Sequence, residues 1–244
     1  IIIYPLKIIK QLPNIITLSN LICGTLIIIS AFRLQFDSVV WLAVAALIFD
    51  FLDGTAARLL KVSSPMGKEL DSFADVVSFG VAPAMVLYNY WYNELIISSD
   101  GSQGIFTEIL PYFSLLIAAF SGYRLAKFNI SEQSNDYFSG LPTPALALAC
   151  FALPFAAEQF EWSNILLNSP LFIILFCSVG GAMLVSHLKM FSLKIGSSNK
   201  TLNIIRLVFL GCCLILITSL HFFGAFLCLL TYLLFSLMSQ KQIS

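Results

Sequence analysis

Apolar runs of about 20 residues, the length a helix needs to cross a bilayer, recur along the whole chain. They restrict its fold more than any other feature. Eight segments qualify, over approximately 15–33, 38–60, 71–96, 107–128, 142–160, 169–188, 202–220 and 222–239. The last two are separated only by the region around His221 to Gly224, so seven is the alternative count. Composition agrees: 59% of the residues are hydrophobic and 11% charged, against roughly 45–50% and about 25% in soluble domains. The expected fold is all-α, a polytopic membrane helix bundle with about eight transmembrane helices. Residues 1–12 (IIIYPLKIIKQL) mix Ile and Leu with two lysines, which reads as an N-terminal amphipathic helix lying in the interface. A frayed extension of the first span is the alternative. Lys7, Lys10 and Pro13 interrupt the first apolar run, so no secretory signal peptide is expected. No repeat, low-complexity tract or linker divides the chain, so one domain over 1–244 is expected.

Basic residues orient the bundle. With eight spans, Lys7, Lys10, Arg58, Lys61, Lys68, Arg124, Lys127, Lys189, Lys194, Lys200, Arg206 and Lys241 fall on one side, and Arg33 alone on the other. Cytoplasmic loops carry the excess of Lys and Arg, so both termini are expected in the cytoplasm of a cell whose cytoplasmic membrane holds the protein. The loop over 97–106 is polar and uncharged except for Asp100, as an external loop should be. A formal net charge of zero gives no reason to expect nucleic acid as a partner. The six cysteines all lie in apolar runs without metal-ligand or disulfide spacing, and read as small packing residues.

Charge inside a span is costly, roughly 2.5–3.5 kcal/mol at a helix centre, so intramembrane acids are functional suspects. Here they cluster in FDFLDGTAARLLKVSSPMGKELDSFADVVSFG. Asp50 and Asp53 are three apart, and Asp71 and Asp75 four apart, so each pair occupies one helix face. A turn containing Ser63, Ser64, Pro65 and Gly67 folds the third span back on the second, which lets the four carboxylates converge. Such a set needs counter-charge, and hard divalent cations that take oxygen ligands supply it. Mg²⁺ or Mn²⁺ fits the all-oxygen donors, with two ions shared by four aspartates. Ions there would clamp a pyrophosphate and stabilise a leaving phosphate. Gly54, one turn beyond Asp50, lets a phosphate approach the helix closely; Ala57 serves likewise, and Arg58 presents a fork of donors for a phosphate oxygen. The competing class is an ion-coupled transporter. Its pathway predicts acids near mid-membrane on several helices, whereas these four sit at one end of two adjacent helices.

The string D-x-x-D-G-x-x-A-R-x8-G-x-x-x-D-x-x-x-D, formed by Asp50, Asp53, Gly54, Ala57, Arg58, Gly67, Asp71 and Asp75, resembles the signature of the CDP-alcohol phosphotransferase family. The match is complete over positions 50–75, and the helical layout is similar to the family over nearly the whole chain. The resemblance implies that Asp50, Asp53 and Asp71 are metal ligands and that Asp75 is both a ligand and the catalytic base. It places Gly54, Ala57, Arg58 and Gly67 in the CDP-lipid pocket, with Ser64 as a weaker member. The family also uses the start of the first span, here P-N-I-I-T-L-S-N, which adds Asn14 and Thr17; helix capping is the alternative role for those two. CDP-diacylglycerol is the implied donor and CMP the leaving group. The family is typically dimeric, so a homodimer is implied.

The signature does not name the acceptor. S-F-G-V-A-P at 78–83, R-L-A-K-F-N at 124–129 and F-S-G-L-P-T-P-A at 138–145 resemble the phosphatidylserine synthase branch of the family, which implies L-serine. Arg124 or Lys127 would pair with the serine carboxylate, and Asn129 or Ser78 would bond its ammonium or hydroxyl group. Positive-inside anchoring is the alternative for the two cations, which would equally suit the phosphate of glycerol 3-phosphate or inositol phosphate. A phosphatidylglycerophosphate synthase is therefore the runner-up. His187 and His221 fall near opposite membrane faces, so they are not expected to share a metal. Gly180, Gly181 and Ala182 suit close helix contact.

Overall fold

Capping chemistry sets where the first helices begin and end in the computed structural model, which describes residues 10–62, 64–97, 104–130, 137–191 and 200–243. The expected interfacial helix over 1–12 lies almost wholly outside the described residues, as do Ser63, Lys194 and most of the 97–106 loop. Helix α1 spans Leu12–Phe32, with Pro13 in the first turn, where a missing N–H costs nothing. It ends in a turn in which Leu34 adopts φ 54° and Gln35 N–H donates to Ser30 O at 3.0 Å. Helix α2, Phe36–Leu59, runs back along α1. It closes the same way, with Lys61 at φ 54° and Val62 N–H on Ala57 O at 3.0 Å. Both ends are Schellman-type caps, usually built on Gly.

Helix α3 covers Pro65–Ile97. Ser64 is its N-cap, the Oγ accepting from Gly67 N–H at 3.0 Å, and Pro65 follows. Directly after Asp75 the helix widens into a π turn over Val76–Val81. Pro83 brings no N–H to the next turn, and the wider turn absorbs that loss. Within the turn, Ser78 packs against Gly24 of α1 and Gly80 against Ser121 of the next helix. That neighbour is α4, Ile105–Ile130, tightened over Leu110–Ser114 beside Pro111. A Cβ on Gly24 would stand 2.5 Å from Ser78 Oγ and 2.8 Å from Ser78 Cα. Gly24→Ala is therefore expected to lower the melting temperature in detergent by several degrees, from about 1–3 kcal/mol of overpacking. An unchanged melting curve would mean that α3 can back away from α1 freely.

The second half is less regular. Strand β1, Tyr137–Ser139, pairs antiparallel with β2, Lys189–Phe191, and Gly140 leaves the ribbon at φ 79°. Between them lie α5 (Thr143–Gln159, with Pro154 inside), the short α6 (Glu161–Leu167) and α7 (Pro170–Val185). Helix α8, Lys200–Ile243, breaks at His221, where φ is 46°. Cys213 Sγ lies 3.9 Å from Thr231 Oγ1, and Cys228 Sγ 4.0 Å from Cys213 O. A straight helix would hold residues 15 apart about 22 Å from each other, so the two arms of α8 form a hairpin.

The fold is thus an all-α membrane bundle with one two-stranded ribbon. The described helices account for part of the expected eight spans. Five of the described helices are long and apolar enough to cross a membrane, or six if α6 and α7, bent by 63°, form one span. That count leaves out α5, which has only 17 residues, and takes α8 once, although its two arms correspond to the segments expected over 202–220 and 222–239. One apolar core joins α3, α4, α5, α7 and α8, and a second joins α1, α2, α3 and α5. Outward side chains such as Trp41, Phe51, Leu171 and Met238 are exposed and apolar, which gives the bundle the surface that lipid covers.

Candidate active site

Helix periodicity gathers the acids. Asp50 and Asp53 lie near the end of α2, and Asp71 and Asp75 near the start of α3. The turn over 60–64 folds the two helices together. Carboxylate oxygens of Asp50, Asp53 and Asp71 all lie within 4.8 Å of one another. Asp75 stands one turn deeper on α3, with its carboxyl group within hydrogen-bonding reach of Asp50. Its Oδ1 is buried and has no hydrogen-bond partner. Arg58 and Arg124 make their side-chain hydrogen bonds elsewhere, Arg58 to Thr55 at 3.2 Å and Arg124 to Thr143 at 2.9 Å. Carboxylates packed this closely repel one another strongly, and an unpartnered buried oxygen adds to the cost. The donor set therefore fits hard divalent cations, with Asp50, Asp53 and Asp71 as the core ligands and Asp75 beside them.

Helix α1 supplies the third wall. Thr17 Oγ1 donates to Asp53 Oδ2 at 2.6 Å in a buried bond, which orients that carboxylate. One turn earlier, the Oδ1 of Asn14 lies 3.2 Å from where a Gly67 Cβ would stand, and Ser64 Oγ lies 3.1 Å from the same point. Asn14, Ser64 and Gly67 thus meet at the mouth, beside Thr17. A Cβ on Gly54 would meet only Arg58 Nη1, at 4.0 Å, so the α2 backbone there is open to a ligand. Ala57 is half-buried one turn on, and Arg58 is exposed at the rim.

The four suggested acceptor contacts separate. Arg124 is 9% exposed and lines a cavity together with Asp75 and Thr143. Its Nε is buried without a hydrogen-bond partner, and its guanidinium lies 5.8 Å from the centre of the Phe128 ring. Asn129 joins helices: its Nδ2 donates to Ser72 Oγ at 2.7 Å, and its backbone O accepts from Lys68 Nζ at 2.9 Å. Lys127 is half-buried near the end of α4. Ser78 is fully buried, and its hydroxyl donates to Asn20 O at 3.0 Å. It fastens α3 to α1 and has no surface to offer an acceptor.

Sequence reasoning passed over three residues here. Asn20 lies three residues beyond Thr17 on the same buried face of α1, with both polar atoms of its side chain unpartnered. Extending the i, i+3 spacing from Thr17 would have found it. Thr143 and Tyr232, the hydroxyl groups on the Arg124 cavity, come from α5 and α8. No local spacing connects them to the acids.

Comparison with known proteins bears on the whole arrangement. The family model described as CDP-alcohol phosphatidyltransferase matches residues 10–179. A CDP-diacylglycerol–serine O-phosphatidyltransferase of Helicobacter pylori is 34% identical over 210 residues, covering 85% of this chain and 83% of that protein. Proteins with the same name from Bacillus subtilis and Methanocaldococcus jannaschii are 38% identical over 150 residues and 36% over 146. Those alignments cover 60% and 59% of this chain, and 76% and 61% of the relatives.

Proposed function

The chain belongs to the CDP-alcohol phosphatidyltransferase family, and we propose that it transfers the phosphatidyl group of CDP-diacylglycerol to L-serine, releasing CMP. The observation that carries this reading is the convergence of Asp50, Asp53 and Asp71 within 4.8 Å, beside the unpartnered oxygen of Asp75. Serine is favoured because the relatives described above carry that acceptor in their names. Arg124 supports it, since a guanidinium with an unused Nε on the Asp75 cavity suits a carboxylate.

Each residue then has a task. Asp50, Asp53, Asp71 and Asp75 would hold Mg²⁺ or Mn²⁺ as a two-metal site. Bound ions supply charge neutralisation of the pyrophosphate and stabilisation of the leaving phosphate. Thr17 keeps the Asp53 carboxylate turned into the site. Gly54 and Ala57 give the cytidine diphosphate room against the α2 backbone, Asn14, Ser64 and Gly67 border its mouth, and Arg58 meets a phosphate oxygen. Arg124 holds the serine carboxylate and orients the serine hydroxyl; Lys127, further along α4, draws the anionic end inward. The hydroxyl oxygen attacks the phosphorus that bears diacylglycerol, in line with the bond to CMP. The new P–O bond forms as the bond to CMP breaks, and the hydroxyl proton passes to the free oxygen of Asp75. Positioning and charge stabilisation provide most of the rate, as in other phosphoryl transfers. The Lys and Arg bias favours the cytoplasm for this end of the bundle, where serine would be taken up, while the donor arrives laterally from the bilayer.

Acceptor identity is tested by the lipid product. Purified protein given CDP-diacylglycerol, a divalent ion and equimolar L-serine, glycerol 3-phosphate and inositol phosphate is expected to make phosphatidylserine in large excess. A dominant phosphatidylglycerophosphate product would overturn the serine assignment and leave the transferase reading intact.

A further inference from the structure

The cavity that Asp75 and Arg124 share runs between α2, α5 and the α8 hairpin and holds about 700 Å³, inside the roughly 300–1,000 Å³ usual for ligand sites. Its chemistry divides along its length. One end carries Asp75, Arg124 and Thr143, and beyond them the lining is apolar apart from the Tyr232 hydroxyl. That hydroxyl is spent on Phe191 O at 3.0 Å. Val44, Leu148 and Ile217 line the cavity yet remain 41%, 44% and 45% exposed, so it is a groove open along one side to the surface that faces lipid. On α5 the lining runs from Thr143 to Ala152, and on the second arm of α8 from Phe222 to Tyr232. At 1.5 Å per residue, that is a depth of about 14–15 Å. Half of a hydrocarbon core of about 30 Å is the same length: the reach of one acyl chain in one leaflet.

Aromatic rings from four helices meet at the far end. Phe222 of α8 stacks on Phe155 of α5 with ring centroids 4.4 Å apart. Phe155 meets Phe36 of α2 edge-on at 6.5 Å, and Phe36 meets Tyr90 of α3 edge-on at 5.9 Å. Just past the break at His221, the N–H of Phe223 donates to Gln159 Oε1 at 3.1 Å. The chain reversal that carries Phe222 is thereby tied to the end of α5.

The geometry points to an acyl-length gauge: one chain of the CDP-activated lipid lies in the groove with its methyl end against Phe222, so donors are selected by the length of that chain. This rests on the transferase reading and adds a specificity to it. The chain is out of water in lipid as well as in the groove, so selection comes from packing: a chain that fills the groove contacts its whole lining, a shorter one leaves a void, and a longer one must bend out of the open side. Phe222→Ala lengthens the groove, whereas Ala225→Trp fills it one turn from the far end.

The test is kcat/KM for CMP release from a series of CDP-diacylglycerols with saturated chains of increasing length, in mixed micelles at fixed surface concentration. The wild type is expected to rise with added methylenes up to one length and then level off or fall. Phe222→Ala is expected to move that optimum to longer chains. Ala225→Trp is expected to move it to shorter ones, and a wild-type Mn²⁺ affinity in both variants shows that they are folded. Equal effects of either substitution on all donors, or a wild type indifferent to length, would overturn the gauge with the transferase reading standing. A wild type that releases no CMP from any donor would remove the transferase reading, and the gauge with it.

Discussion

Asp75→Asn is expected to lower turnover by roughly 10²–10⁴-fold, the range supplied by a general base, with binding of the CDP-lipid nearly unchanged. Asparagine preserves the volume and one oxygen of the side chain but cannot take up a proton. In the wild type, Asp75 Oδ1 is buried and unpartnered, so the substitution breaks no hydrogen bond to that oxygen. It also removes one negative charge from a crowded set, which favours the fold. Because Asp75 is also a proposed metal ligand, lost activity reports on proton transfer where the variant's Mn²⁺ affinity matches that of the wild type. Single-turnover kinetics and a donor-binding titration on the same preparation separate turnover from donor binding. Turnover near that of the wild type would exclude Asp75 as the base and move attention to Asp50, its neighbour in the cluster.

Asp53→Ala carries the second large effect, read on metal binding as well as on rate. Asp53 is 5% exposed, belongs to the group of three within 4.8 Å, and accepts from Thr17. Its removal is expected to weaken Mn²⁺ binding by more than the roughly 10–100-fold typical of changes to groups that merely support a ligand. Turnover at moderate Mg²⁺ should fall with it, just as chelation of divalent ions should abolish turnover in the wild type. Paramagnetic resonance of free Mn²⁺ gives the affinity without reference to catalysis. An unchanged Mn²⁺ affinity in Asp53→Ala would show that the ions sit elsewhere.

Much of the first half of the chain was legible because its signals are local. Apolar runs placed α1 to α4 to within a few residues, except that α3 starts six residues earlier than its apolar run. There the Ser64–Pro65 cap begins a polar first turn that a hydropathy criterion ignores. The spacing of Asp50, Asp53, Asp71 and Asp75 was enough to predict the convergence of the acids, since helix periodicity and one short turn determine it. Ser78 shows the limit of such reasoning. Its place next to the signature suggested an acceptor contact, but the π turn swings it against Gly24, where only a small residue fits. In the second half the decisive events are single residues without a strong pattern. His221 folds a long apolar helix into a hairpin, three-residue strands carry too little alternation to be seen, and α6 has seven residues. The groove is least legible of all. Its lining is drawn from positions between Val40 and Tyr232, and only the folded chain brings them together.

The most direct test of the central claim is CMP release from CDP-diacylglycerol by the purified protein in micelles, with L-serine and Mg²⁺ each added or withheld. Release is expected only when donor, serine and metal are all present, with one phosphatidylserine formed per CMP. Tight binding of donor and metal without CMP release, whichever acceptor is supplied, would contradict it and leave the aspartate cluster as a binding site alone.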